Sequence, residues 1–120
     1  MGRPLRLLVV EDHVDSAELL AELLAGHGHT VRVAGTVSDA IAIASQQPFD
    51  VVVSDVGLPD ASGYDLMREL SARFAIKGIA MTGAGRASDI EDGRKAGFAM
   101  HLTKPVSFRR LEQALEELAG

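Results

Sequence analysis

Phe49-Asp50-Val51-Val52-Val53-Ser54-Asp55-Val56-Gly57-Leu58-Pro59-Asp60-Ala61-Ser62-Gly63 is the stretch on which the reading of this chain turns. Val51-Val52-Val53 is the kind of short, all-apolar run that lies buried on both faces of a parallel sheet. Asp55 stands where the run ends, and Leu58-Pro59 and Asp60-Ala61-Ser62-Gly63 follow as loop and turn signals. Taken alone, Asp55 reads as the first residue of a turn. The rest of the chain reverses that reading.

Working outward, four more short strand-like runs follow, and all but the second end in a polar group. Leu5 to Val10 is a strand tipped by Glu11-Asp12, and Thr30 to Ala34 alternates as a partly exposed strand. Gly78 to Thr82 ends in a hydroxyl, and Ala99 to Thr103 ends at Lys104-Pro105. Helical patterns fill the gaps. Val14, Ala17, Ala21 and Leu24 share one face of the first, with Leu20 and Leu23 beside it and Gly26 and Gly28 at its end. Thr36 with Asp39, Ser62 with Asp65, and Ser88 with Glu91 are cap signatures for the next three, and Ser107 caps the last. The second helix buries Val37, Ala40, Ile41 and Ala44; the third carries Leu66, Met67 and Leu70; the fifth carries Phe108, Leu111, Leu115 and Leu118. The fourth contains Gly93, ends at Gly97 and has only Ile90 as a large apolar residue, which makes it the least stable helix.

Five alternations of strand and helix predict an α/β fold, a flavodoxin-like (βα)5 doubly wound parallel sheet. With right-handed crossovers the strand order is 2-1-3-4-5, and ligands sit over the carboxyl ends where strands 1 and 3 adjoin. The 120 residues predict a single domain spanning 1–120. A net charge of −5 advertises no basic face for nucleic acid or for an anionic membrane. The chain has no Cys, and its opening apolar run is too short for a signal peptide or a membrane span, so the expected setting is cytoplasmic.

In that order the strand tips bring Glu11, Asp12 and Asp55 together, since neighbouring strands are roughly 4.8 Å apart. Crowded carboxylates repel unless a cation or a proton intervenes. Lys104 supplies one charge, and Mg²⁺, a hard ion suited to carboxylates, waters and phosphate, would supply the rest. Thr82 adds a hydrogen-bond donor. A nucleophilic Asp, a metal, an ammonium and a hydroxyl suit phosphoryl transfer through an acyl phosphate. No P-loop or Gly-x-Gly-x-x-Gly turn is present, so the phosphoryl donor has to come from elsewhere, such as a partner protein.

Glu11-Asp12, Asp55 with Leu58-Pro59 and Gly63, Thr82-Gly83 and Lys104-Pro105 together resemble the receiver domain of two-component response regulators, over the whole chain. The resemblance implies that Asp55 is the phosphoacceptor, with Thr82 and Lys104 assisting at the phosphoryl oxygens. It implies Mg²⁺ held by Asp12, Asp55, the Gly57 carbonyl and Glu11, the last directly or through water. Thr82 and the residue at His101 form the family's switch, and Lys104-Pro105 is its cis peptide, which aims the Lys head. Donors in such systems are a histidine kinase or a histidine phosphotransfer protein. The output face is helix 4, strand 5 and helix 5, through which a homodimer can form. The domain is a phosphoacceptor with weak self-catalysis rather than an enzyme. The run from Gly97 to Val106 is most similar to receivers of hybrid sensor histidine kinases, and the bare ends fit a piece of such a protein.

Three departures stand out. His101 occupies a position usually held by Tyr or Phe, and Gly57 and Ala84 are too small to shield an aspartyl phosphate, which implies a short lifetime. The alternatives are a Mg²⁺-dependent phosphatase with an Asp nucleophile and a phosphate-independent interaction domain on the same fold. The phosphatase lacks an acid at Gly57 and a cap domain. His27-Gly28-His29 reads as a surface loop, His13 as a helix-start residue, Arg109-Arg110 and Glu112 as solvated helix face, and Met67, Met81 and Met100 as core.

Overall fold

Arg6–Val10 forms β1 and Val51–Asp55 forms β3, and the two pair in parallel with Leu7 opposite Val51 and Val10 opposite Ser54. The structure, a computed structural model, describes residues 3–83 and 87–119, and only the backbone of 87–89. The remaining strands are β2 (Thr30–Ala34), β4 (Lys77–Thr82) and β5 (Met100–Thr103). All pair in parallel, in the order β2-β1-β3-β4-β5. The helices are α1 (Val14–Gly26), α2 (Val37–Gln46), α3 (Gly63–Arg73), α4 (Ala87–Ala96) and α5 (Phe108–Ala119). The doubly wound fold and strand order read from the sequence are those found.

Side chains alternate across each strand, so the sheet feeds two cores. Leu8, Val10, Val52 and Ala80 pack with the buried faces of α2, α3 and α4. Leu7, Val9, Val51, Val53 and Ile79 pack with Leu24 of α1 and with Leu111 and Leu115 of α5. Being buried on both sides, β1 and β3 can carry uninterrupted apolar runs. Thr36 accepts the Asp39 N–H at the start of α2, and Ser62 and Asp65 form a reciprocal capping box on α3.

Several sequence expectations are corrected. Val14 is 66% exposed, because it opens α1 beyond the edge of the core; only Ala17 and Leu24 of that helix are fully buried. Ile90 is exposed as well, and α4 meets the core through Gly93 and Ala96. Helix α4 is described from Ala87, which puts Ser88 inside it rather than ahead of it; the Ser88 side chain and Ala84 lie outside the described residues. The chain leaves α4 through Gly97 at φ +115°, a conformation that disfavours any side chain.

The largest correction is His29, whose side chain is only 7% exposed. Its Nδ1 accepts the Leu5 N–H at 3.1 Å, which places the ring hydrogen on Nε2, 3.2 Å from the Glu112 carboxylate of α5. Within the His-Gly-His run, His27 and Gly28 lie at the surface as expected and His29 does not, and Glu112 is a partnered acid rather than a solvated one.

At the same end of the sheet, Asp50 accepts hydrogen bonds from the Arg6 backbone N–H at 2.8 Å, Nε at 3.2 Å and Nη2 at 3.0 Å. The side-chain bond from Arg6, more than burial, holds the Asp50 carboxyl below its ordinary value. A carboxyl whose pKa is lower folded than unfolded stabilises the fold above the unfolded value of about 3.9 and stops doing so as pH falls further. Asp50→Asn is expected to lower the melting temperature at pH 7, and the gap to wild type closes as the pH drops below about 3.9. A gap independent of pH in thermal melts contradicts this.

Candidate functional site

The register of the sheet sets the site. Val10 aligns with Ser54, Asp55 with Met81, and Thr82 with Thr103, so the ends of four strands fall level. Glu11 and Asp12 leave β1, Asp55 ends β3, Thr82 ends β4 and Lys104 follows β5. The Lys104 backbone N–H bonds to the Thr82 carbonyl at 2.7 Å, and the Lys104–Pro105 peptide bond is cis.

The Lys104 ammonium lies 2.9 Å from Asp55 Oδ2 and 3.6 Å from Glu11 Oε2. Burial works against its charge, but the hydrogen bond and the negative charge of Asp55, with Glu11 behind them, outweigh burial and raise its pKa above the ordinary lysine value. Glu11 is 6% exposed. A buried carboxylate needs partners, and Glu11 finds them in the His13 backbone N–H and His13 Nδ1, both at 3.1 Å, besides Lys104. His13 also stands 3.7 Å from Asp12 Oδ1. It occupies the N-cap position of α1, as the sequence suggests, and its ring turns back to hold Glu11, the contact with the acidic pair that the sequence reading set second to a helix-start role.

Glu11, Asp12 and His13 bring one ligand atom each within 4.8 Å of one another, a grouping that can hold a metal ion. Three carboxylates face one ammonium among the described residues of this pocket, so negative charge is in surplus. The donors are mostly hard oxygens, and this set fits Mg²⁺. The main chain closes the loop beside the pocket. The Gly63 N–H bonds to the Val56 carbonyl at 2.8 Å, and Gly57 bridges to Ser62, closing the 57–62 loop at its base. A Cβ on Gly63 would fall 2.4 Å from the Asp55 carbonyl oxygen and 3.0 Å from Val56 Cα. Glycine is required there by close approach of α3 to the strand that carries Asp55.

A family model described as the response regulator receiver domain matches residues 7–116. The chain belongs to that family. This receiver domain is 36% identical over 118 residues to the probable transcriptional regulatory protein TcrX of Mycobacterium tuberculosis, covering 98% of this chain and 50% of that protein. It is 33% identical over 121 residues to the virulence sensor protein BvgS of Bordetella pertussis, covering 94% of this chain and 10% of BvgS. Among solved structures, the non-phosphorylated HemR receiver domain of Leptospira biflexa superposes with a TM-score of 0.87 at 29% identity, covering 98% and 95% of the two chains. The domain thus spans half of the first relative and a tenth of the second. Receiver domains of response regulators accept phosphate from histidine kinases and bind Mg²⁺ at an acidic pocket.

The other residues singled out from the sequence fall as follows. Thr82 is 8% exposed at the tip of β4. His101 faces α4, where a Cβ on Gly93 would lie 3.2 Å from its Nδ1 and 3.4 Å from the Tyr64 ring. The imidazole therefore fills a slot that the missing side chain of Gly93 leaves beneath α4. Gly57 opens to space, with nothing within 4 Å of where its Cβ would be. Among the described residues no helix is long and apolar enough to cross a membrane.

Gly63→Ala is expected to destabilise the fold by about 1–3 kcal/mol, as overpacking against an immovable carbonyl does. Urea unfolding measures this, and a midpoint equal to wild type contradicts it.

Proposed function

We propose that residues 1–120 make up one receiver domain in which Asp55 accepts a phosphoryl group from a phosphohistidine on a histidine kinase or phosphotransfer protein. The observation that carries this reading is the Lys104 ammonium 2.9 Å from Asp55 and 3.6 Å from a buried Glu11. An Asp55 carboxylate oxygen attacks phosphorus, the P–N bond to the donor imidazole breaks, and that nitrogen retains the electron pair. The equatorial phosphoryl oxygens gather negative charge, and Lys104 is in place to receive one of them. Thr82, at the neighbouring strand tip, donates its hydroxyl to another. Asp12, Asp55, the Gly57 carbonyl and Glu11 would hold Mg²⁺, which would supply the positive charge that one ammonium lacks.

The donor protein has to approach over the rim of this pocket. A groove of about 330 Å³ between α1 and α5 runs from Glu11 and Lys104 past Leu19, Leu23, Val106 and Phe108. Leu19 is 59% and Leu23 40% exposed, and their continuity with the site makes this face the docking surface for the donor. The signal leaves on the other side, where Thr82 and His101 link the pocket to α4, β5 and α5. Homodimerisation, where it occurs, uses that face.

Asp55→Asn is expected to abolish phosphoryl incorporation from acetyl phosphate with Mg²⁺, followed by mass spectrometry of the intact protein. Equal incorporation in the variant overturns the assignment. Because nothing fills the space beside Gly57, water reaches an aspartyl phosphate readily. Gly57→Arg is expected to lengthen the half-life of the phosphorylated domain several-fold, and an unchanged half-life contradicts the open-site reading.

A further inference from the structure

Asp60 lies in the β3–α3 loop, three residues beyond Gly57, and the sequence presents it as an ordinary turn residue. Its carboxylate reaches across to a different element. Oδ1 accepts the Val37 N–H at 2.9 Å and Oδ2 accepts the Ser38 N–H at 3.0 Å. These are the first two residues of α2, whose N–H groups have no partner within the helix. The third such donor, the Asp39 N–H, is taken by Thr36 from the same chain segment. Two caps from different sources therefore complete one helix start. The backbone bonds from Val37 and then Ser38 hold the Asp60 carboxyl below its ordinary value, although the side chain lies at the surface.

The 57–62 loop is closed at its base by the Gly63 N–H to Val56 bond and by the bridge from Gly57 to Ser62. Its outer part is tied down by Asp60. Gly57 stands on the base bridge itself, three residues short of the Asp60 tie, and only its main chain is available to the pocket, since it has no side chain. A carbonyl on a loop anchored at one end alone can swing by more than a metal bond tolerates; Mg²⁺ demands close to octahedral geometry.

We propose that Asp60 is a positioning residue for the metal site: its grip on Val37 and Ser38 fixes the loop that presents the Gly57 carbonyl. This rests on the Mg²⁺ site of the preceding section. By linkage, whatever tightens the loop at Gly57 also tightens the bonds at α2, and the coupling is equal in both directions. Helix α2, which contributes nothing directly to the pocket, is thereby connected to its occupancy.

The test is isothermal titration of Mg²⁺ into wild type, Asp60→Ala, Asp60→Asn and Thr36→Ala, with amide hydrogen exchange followed by NMR. Asp60→Ala is expected to weaken Mg²⁺ binding about five- to tenfold, at or just below the range for losing a residue that orients a metal ligand. Asp60→Asn, whose amide oxygen keeps one of the two bonds, falls between that and wild type. Thr36→Ala removes a cap from the same helix without touching the loop, and its Mg²⁺ affinity stays within twofold of wild type. In wild type, Mg²⁺ slows exchange of the Val37 and Ser38 amides. A purely structural cap would lower the melting temperature of both alanine variants and leave their Mg²⁺ affinities alike, and that outcome overturns the proposal. Insensitivity of the Val37 and Ser38 amides to Mg²⁺ also overturns it, even where Asp60→Ala fails to fold. If wild type binds no Mg²⁺, the metal site itself falls and this proposal with it. If wild type binds Mg²⁺ and Asp60→Ala binds it equally well, only the role of Asp60 falls.

Discussion

The Lys104 ammonium stands between Asp55 and Glu11, one positive charge in a pocket of three acids, and the rest of the molecule is arranged to permit that. Two like charges 4 Å apart cost about 4 kcal/mol at the effective dielectric of a protein surface. Strand pairing overcomes this, because the ladder between β1 and β3 runs through residues that are almost wholly buried. The acids sit where the ladder ends. Lys104 offsets part of the repulsion, and what remains is an electrostatic demand for a further cation. The negative surplus therefore belongs to the design of the sheet and not to any one side chain.

Two devices keep the acidic end in shape. His13 grips Glu11 through both its backbone and its ring, so the most buried carboxylate is held by its own neighbours. Gly63 lets α3 start against the Asp55 carbonyl, closer than any residue with a side chain could come. The weaker boundary lies at α4, which among its described side chains reaches the core with Gly93 and Ala96 only, above the slot filled by His101.

Much of this was legible in the sequence. Val51-Val52-Val53, with the runs of β1 and β4, announces buried parallel strands because a strand covered on both faces has no polar side to display. Ser62 with Asp65 announces a helix start because the chemistry of that cap is local. The polar residues at the strand tips followed from the strand order, which alternation alone nearly dictates. What escaped is what depends on distance through space. Asp60 resembles any turn Asp until its partners, more than twenty residues away, are known. His29 and Glu112 are 83 residues apart, and neither sits in a pattern that predicts the other. Val14 and Ile90 fit their helical periods, yet periodicity says nothing about where a helix overhangs the sheet.

The buried His29 has a mechanical consequence for α5. Its ring ties Glu112 to the beginning of β1, and Lys77 Nζ holds the Leu118 carbonyl at 2.6 Å. The first tether grips α5 in its second turn and the other in its last, so only Phe108 to Leu111 stand ahead of both. A tug from Lys104, which precedes the helix by a short connection, therefore meets a rod pinned at two points along its length: the leading turn takes up the strain, while the remainder stays registered against the floor of the sheet.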